Sequence, residues 1–253
     1  MKKSLFSMRM MGLAIGGLLL TGVLFSACDK DDDDPVEIKA SGLLAANLAP
    51  DLAAGMFLSG NNLTPGPLYY TNYTGGYLAI YSGNRTLSTF DYSNTANPVA
   101  SGNFDFKDGQ YYSAFVLGAN DNYRNVIVQD NFDSLPGASG KAYIRYVNAI
   151  PDSSTAMISI ADNGESMNSN AGFAAVSDFS EVNAGDVTIS VKNGGNIDTD
   201  RTINLDERGA YTVLLLGMPG STNADSVQIR YIYHGMLDEQ TDKIETAQYK
   251  ISS

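Results

Sequence analysis

Hydrophobic and polar residues alternate along most of this chain with a period of two. Val187, Ile189 and Val191 are separated by Thr188 and Ser190, the mark of a strand with one buried face. Residues 211–216 form an almost unbroken apolar run of strand length, which suits a central strand covered on both faces. Residues 111–117 read the same way. Between such runs stand Asp108-Gly109, Asn163-Gly164, Asn193-Gly194-Gly195 and Arg208-Gly209, which supply positive φ and tight reversals. Beyond the N-terminal segment no window carries a sustained helical stripe. Residues 43–54 are rich in Ala and Leu, but Pro50 interrupts them.

The pattern occurs twice. Asn47, Pro50 and Asp51 correspond to Asn148, Pro151 and Asp152. Tyr77, Ile80, Gly83 and Leu87 match Phe179, Val182, Gly185 and Ile189 at one constant offset. The run ending at Gly118 mirrors the run ending at Gly217, and each half closes with a strand beginning at Val126 or Val227. Collinear matches in this order indicate an internal duplication. Several short strands in each copy of about 100 residues predict an all-β chain of two tandem antiparallel β-sandwiches. The expected division is residues 1–27 as a leader, 28–40 as a tether, 41–132 as the first sandwich, 133–140 as a Pro/Gly/Ser-rich linker, and 141–253 as the second. So short a linker predicts modules lying end to end, each able to fold alone as a marginal domain.

The second copy carries Arg145, Asn148, Pro151 and Asp152, then Phe179, Val182, Ala184, Gly185, Ile189 and Val191, then Gly209, Tyr211, Thr212, Val213 and Gly217. This pattern resembles the family known only as domain of unknown function 4397. The first copy keeps the frame more loosely, with Ala45 in the arginine place and Ser82 before Gly83. The resemblance covers nearly all the mature chain. It implies Ig-like or transthyretin-like sandwiches in extracytoplasmic proteins, and it implies no activity.

The N-terminus bears on compartment. Lys2, Lys3 and Arg9 precede an apolar stretch over residues 11–25, and small residues lead to Cys28, the only cysteine. The stretch is too short for a membrane span and reads as a secretory signal. Residues 24–28 resemble a lipobox, with Cys28 as the lipidated mature N-terminus, although Phe25 departs from the usual small or aliphatic residue. The acidic run at Asp29, Asp31, Asp32, Asp33 and Asp34, closed by Pro35, reads as a solvated tether. It also resembles the export signal that sends Bacteroidota lipoproteins to the outer face of the outer membrane.

A net charge of −12, more negative still without the leader's cations, argues against nucleic acid and anionic lipid as partners. The expected membrane contact is the lipid on Cys28. With no second cysteine, stability has to come from burial rather than disulfides.

Candidate chemistry is sparse. His234 is the only histidine, no Gly-x-Ser-x-Gly elbow presents a serine to it, and it reads as a surface or edge residue. The abundant carboxylates make any pairing uninformative. Asp121, Asn122, Asp198 and Asp200 lie in turn-like segments, but their spacing matches no calcium loop, so neither metal nor cofactor is expected. Asp51 and Asp152 read as turn residues. Tyr69, Tyr70, Tyr73 and Tyr77, with Tyr81 nearby, offer a glycan or protein contact surface. The alternative is that Tyr77 and Tyr81 are ordinary strand residues or that the group serves an intermodule interface. Ser134 and Ser226 lie in Asp-Ser-aliphatic triplets resembling the O-glycosylation pattern of exported Bacteroidota proteins.

These features favour a monomeric, non-enzymatic surface lipoprotein that binds glycan or protein. A fimbrial or matrix subunit is the alternative, and a carboxylate-dependent hydrolase a remote one. Replacing Cys28 with Ser is expected to release the protein or leave its precursor uncleaved. Fractionation that finds the serine variant membrane-bound and normally processed overturns the anchor.

Overall fold

The computed structural model describes residues 38–151, 156–162 and 165–237. The leader, Cys28, the tether through Glu37, and Asp152 lie outside the described residues. The first sandwich consists of β1 (Ala40–Asn47), β2 (Ala54–Leu58), β3 (Asn61–Asn62), β4 (Leu78–Tyr81), β5 (Gly83–Asp91), β6 (Ala100–Phe106), β7 (Tyr111–Ala119) and β8 (Asn122–Gln129). The second repeats it with β9 (Lys141–Asn148), β10 (Ala156–Asp162), β11 (Glu165–Ala171), β12 (Ser180–Asn183), β13 (Gly185–Lys192), β14 (Asp198–Leu205), β15 (Gly209–Leu216) and β16 (Gln228–Met236).

Sheet β4-β1-β7-β8 packs on β3-β2-β5-β6, and sheet β12-β9-β15-β16 packs on β11-β10-β13-β14. The two strand orders coincide, so the duplication is topological as well as sequential. Sequence patterning predicted antiparallel sandwiches, and among the described residues the strand pairs follow that rule except one in each copy. β1 runs parallel to β7, and β9 to β15, because the chain leaves the central sheet after its first strand and re-enters it in the same direction. The register also corrects an alignment. Leu44 faces Ser113 as Arg145 faces Thr212, so Leu44 occupies the arginine place, not Ala45.

The repeated motifs have local physical causes. Asn47 Nδ2 donates to the carbonyls of Leu52 (2.6 Å) and Leu68 (2.8 Å), while its Oδ1 accepts from Ala49 N at 2.9 Å. Asn148 does the same with Ala171 (3.0 Å), Gly172 (3.3 Å) and Ile150 N (3.1 Å). Each buried amide therefore ties the end of the first strand to the loop that crosses the sandwich. Gly118 and Gly217 have φ of 120° and 102°, and a Cβ on either would collide with a carbonyl oxygen, that of Asn122 or Ser226. Tyr112 and Tyr211 accept from the backbone N–H five residues upstream, Lys107 at 3.0 Å and Asp206 at 2.9 Å, the device of a tyrosine corner.

Each sandwich has its own core. Leu43, Ala45, Met56, Leu87, Phe106 and Val116 belong to the first, and Ile144, Ile158, Ile189, Val213 and Leu215 to the second. The central strands β1, β7 and β15 are buried at every position, and the covering of their other face decides the architecture. Leu44, Ala46, Phe115 and Leu117 of the first copy pack with Val147, Leu214, Leu216 and Ile232 of the second. The modules thus meet face to face through their central sheets, not end to end. The linker is held as well: Phe132, which immediately precedes it and opens a short 3-10 turn (Phe132–Ser134), is buried with Tyr111 and Ala210, and the linker's Leu135 packs against them.

Burial of this magnitude makes independent folding of the halves costly, because a fragment from Lys141 onward bares Val147, Leu214, Leu216 and Ile232. Heat or denaturant is expected to unfold residues 38–237 in one cooperative transition. Phe115→Ala, at an interface position with 0% exposure, should lower the whole transition by about 3–5 kcal/mol. Two separated transitions in calorimetry, with only one responding to Phe115→Ala, contradict this.

Candidate functional site

At one end of the intermodule face the apolar packing gives way to a buried polar ring. Asp130, at the end of β8, has 0% exposure, and Arg145 of β9 has 2%. Arg145 Nη2 donates to Asp130 Oδ1 and, at 3.1 Å, to Ser113 Oγ. Its Nε donates to Thr212 Oγ1 at 2.8 Å. Ser113 and Tyr77 both donate to Asp130 Oδ2, at 3.0 and 2.6 Å. Thr212 Oγ1 also meets His234 Nε2, at 2.6 Å. Since the Tyr77 proton goes to Asp130, the Tyr77 oxygen accepts from His234 Nδ1 at 2.8 Å. The Tyr77 contact puts the proton of a neutral His234 ring on Nδ1, so that Nε2 accepts from the Thr212 hydroxyl.

His234 is therefore buried and interfacial, correcting its reading as a surface or edge residue. The set contains serine, histidine and aspartate, yet it is not assembled as a nucleophilic triad. Ser113 bonds Asp130 rather than His234, and Thr212 is committed to Arg145. The aromatic rings of Tyr77, Tyr111, Phe132 and Phe179 enclose it, with the Arg145 guanidinium 4.5 Å from the Phe179 ring centroid. Burial, then the negative charge of Asp130, pushes the Tyr77 hydroxyl well above its ordinary pKa.

The tyrosine group splits. Thr71 N donates to Asn47 O as Ala174 N does to Asn148 O, and both Thr71 and Ala174 have φ of 69°. That register sets Tyr70 against Phe173, Tyr73 against Val176 and Tyr69 against Gly172. Tyr70 and Phe173 both pack into the intermodule cluster, and Tyr77 and Phe179 both flank Phe132. Tyr70 and Tyr77 are half-buried interface residues. Tyr69 and Tyr73 remain, 61% and 38% exposed, without aromatic counterparts in the second copy.

The other proposed positions are dispersed. Asp51 is exposed and accepts from Asn120 N at 2.7 Å, tying the turn after β1 to the β7–β8 turn. Ser134 is exposed, with Oγ donating to Asn131 O at 2.7 Å. Ser226 is half-buried, its carbonyl packed on Gly217. Among the described residues no group of three His, Cys, Asp or Glu side chains is placed to hold a metal ion, and no helix is long and apolar enough to cross a membrane.

The sequence profile described as Domain of unknown function (DUF4397) matches residues 41–159 and 142–231. The chain belongs to this family. Solved structures similar to this DUF4397 chain include candidate cell-adhesion proteins from Bacteroides ovatus, Bacteroides eggerthii and Bacteroides uniformis. They are 11%, 11% and 10% identical, over 79%, 79% and 77% of this chain and 98%, 96% and 98% of theirs, with TM-scores of 0.25, 0.23 and 0.23. No curated protein sequence matches.

The residues that carry the DUF4397 resemblance are accounted for by folding. Asn148, Tyr211 and Gly217 shape loops and turns, whereas Arg145 supplies the cation of the buried ring. Sequence reasoning quoted Arg145 but missed Asp130 and Tyr77 as its companions, since nothing local marks three distant strand ends as neighbours.

Arg145→Leu, which installs the residue the first copy has at Leu44, should cost about 3–5 kcal/mol by leaving Asp130 buried without its cation. Adding Asp130→Asn should recover much of that loss in a denaturation cycle; two fully additive losses contradict the pairing. Tyr77 also predicts a pH response. Its raised folded pKa means that its contribution is complete below about pH 10, the unfolded value. It is lost as pH climbs above that toward the folded value, where the unfolded chain has released a proton that the native chain keeps. Between those limits the stability of Tyr77→Phe should fall less steeply, by one proton, than that of the parent.

Proposed function

We propose that this chain is a non-enzymatic contact protein displayed on the outer face of a bacterial outer membrane, held by lipid on Cys28 and acting as a monomer toward a glycan or protein. The observation that carries this reading is the nature of what stays exposed. Among the described residues seven large hydrophobic side chains stand open to solvent, and six are tyrosines: Tyr69, Tyr73, Tyr81, Tyr92, Tyr231 and Tyr233, with Met157 as the seventh. Tyrosine gives a large, stiff contact area with a polar tip, the property that binding surfaces exploit. Asp130, Arg145, Tyr77 and His234, by contrast, are hydrogen-bonded within the intermodule ring. The lipobox-like leader and acidic tether support the compartment.

Tyr69 and Tyr73 are the tyrosines of the original group that folding leaves free. The double variant Tyr69→Ser, Tyr73→Ser is expected to keep the parental melting temperature and lose capture of extracellular glycans or proteins in a surface-binding assay. Undiminished capture removes this segment from the contact surface.

A further inference from the structure

The first sandwich is open along an edge that the second closes. β3 has two residues and pairs only with Phe57 and Leu58, whereas β11 pairs with β10 over seven positions. The shortfall leaves a groove of about 380 Å³ beside β4, with Leu58 and Ile80 in its floor and Asn61, Asn62, Tyr81 and Arg85 among its walls. That volume is within the range of small-ligand sites, and an apolar floor with a few fixed polar groups is their usual composition.

Arg85 is the unusual member. It lies two residues before the fully buried Leu87 on β5, so it points to the same inner face of its sheet. Its counterpart at the constant offset between copies is Val187, a fully buried member of the second core. An arginine thus stands where the fold calls for a core residue, at the mouth of the open edge. Its Nε donates to Tyr81 O at 3.2 Å and its Nη2 to Ser82 O at 3.1 Å. The guanidinium is thereby held 5.9 Å from the centroid of the Tyr81 ring. Two of the five N–H groups are used, and the others remain for an outside acceptor. The ion pairs among the described residues, Lys141–Glu181, Arg145–Asp130 and Lys192–Asp198, leave Arg85 without a carboxylate partner.

We infer that this groove binds a saccharide unit bearing a carboxylate, such as a uronate or sialate residue. The inference rests on the contact-protein reading and names a ligand class for it. Tyr81, 54% exposed, offers a flat face for the C–H side of a pyranose ring. The exposed amides of Asn61 and Asn62 donate to and accept from hydroxyls, and the pre-positioned Arg85 receives the carboxylate through charge-assisted hydrogen bonds. A single cation on a chain of net charge −12 suits one acidic unit rather than a densely charged polyanion. In the second copy Asn183 stands in the place of Tyr81 and is taken up by Lys141 Nζ at 3.0 Å, so the site belongs to the first copy alone.

The test is calorimetry and saturation-transfer NMR on the mature chain, with sialyllactose and trigalacturonate against lactose and maltotriose. An acidic peptide serves as the protein-type competitor. The acidic saccharides should bind roughly tenfold or more tighter than the neutral ones, the scale of one charge-assisted contact. Arg85→Gln should reduce them to the neutral level at an unchanged melting temperature, and Tyr81→Ala should weaken both classes. Equal binding of acidic and neutral saccharides, indifference to Arg85→Gln, or binding of the peptide but no saccharide each overturns the inference. The broader reading is judged separately: a parent chain that captures surface ligands equally well with Arg85→Gln keeps its contact role and loses this groove. A parent chain that captures nothing loses both.

Discussion

The central sheets β4-β1-β7-β8 and β12-β9-β15-β16 are apolar on both faces, and a sandwich can cover only one of them. Whatever covers the other is therefore part of the fold. Here each copy covers its sibling, with Leu44, Phe115 and Leu117 set against Val147, Leu214 and Leu216. The same surface of each copy is used, so the contact is the intrachain equivalent of an isologous dimer interface. Its symmetry extends to the polar ring. Ser113 and Asp130 at the end of the β7–β8 pair have Thr212 and His234 as their counterparts on β15 and β16. A register shift between Ala210 and Tyr211 accommodates the extra residue that brings His234 inward.

The one pronounced departure from that symmetry is Leu44 against Arg145. A cation buried between apolar sheets is costly unless it is paired and hydrogen-bonded, and Arg145 has its carboxylate and its two hydroxyl partners only when Asp130, Ser113 and Thr212 are all in place. The ring therefore contributes geometry more than net stability. An apolar face alone permits many sliding arrangements of two sheets, whereas a ring that closes in only one register selects one of them.

How much of this the sequence disclosed follows from what periodicity measures. Alternation in β13 and the continuous run in β15 stated correctly which faces are buried, and the repeated Asn, Gly and Tyr positions marked duplicated turns. Periodicity says that a face is covered, not by what. The double covering of β15 was legible while its partner was not, and the modules were expected end to end. The same limit explains His234 and Tyr77. Tyr77 sits just before β4 and His234 at the register shift of β16, where pattern is weakest, and each bonds a residue more than 50 positions away. Tyr69 and Tyr73 stay exposed, as the sequence suggested.

Fusion of the copies into one chain has a further physical consequence. In a homodimer every substitution falls on both sides of the interface, so a surface residue useful on one subunit is imposed on the other. In this chain the shared burden is confined to the interface and the two cores, where Tyr70 faces the role of Phe173 and Tyr77 that of Phe179. Outside those regions the copies are free to differ, and the differences collect on the first. Tyr69 replaces a glycine, Tyr73 a valine, Tyr81 an asparagine and Arg85 a core valine, while β3 is cut to two residues. The second copy keeps the closed edge and supplies the buried cation that fixes the pair. The second copy still exposes Met157, Tyr231 and Tyr233, so both copies carry open apolar surface while only the second supplies the buried cation, a division that two identical subunits could not make.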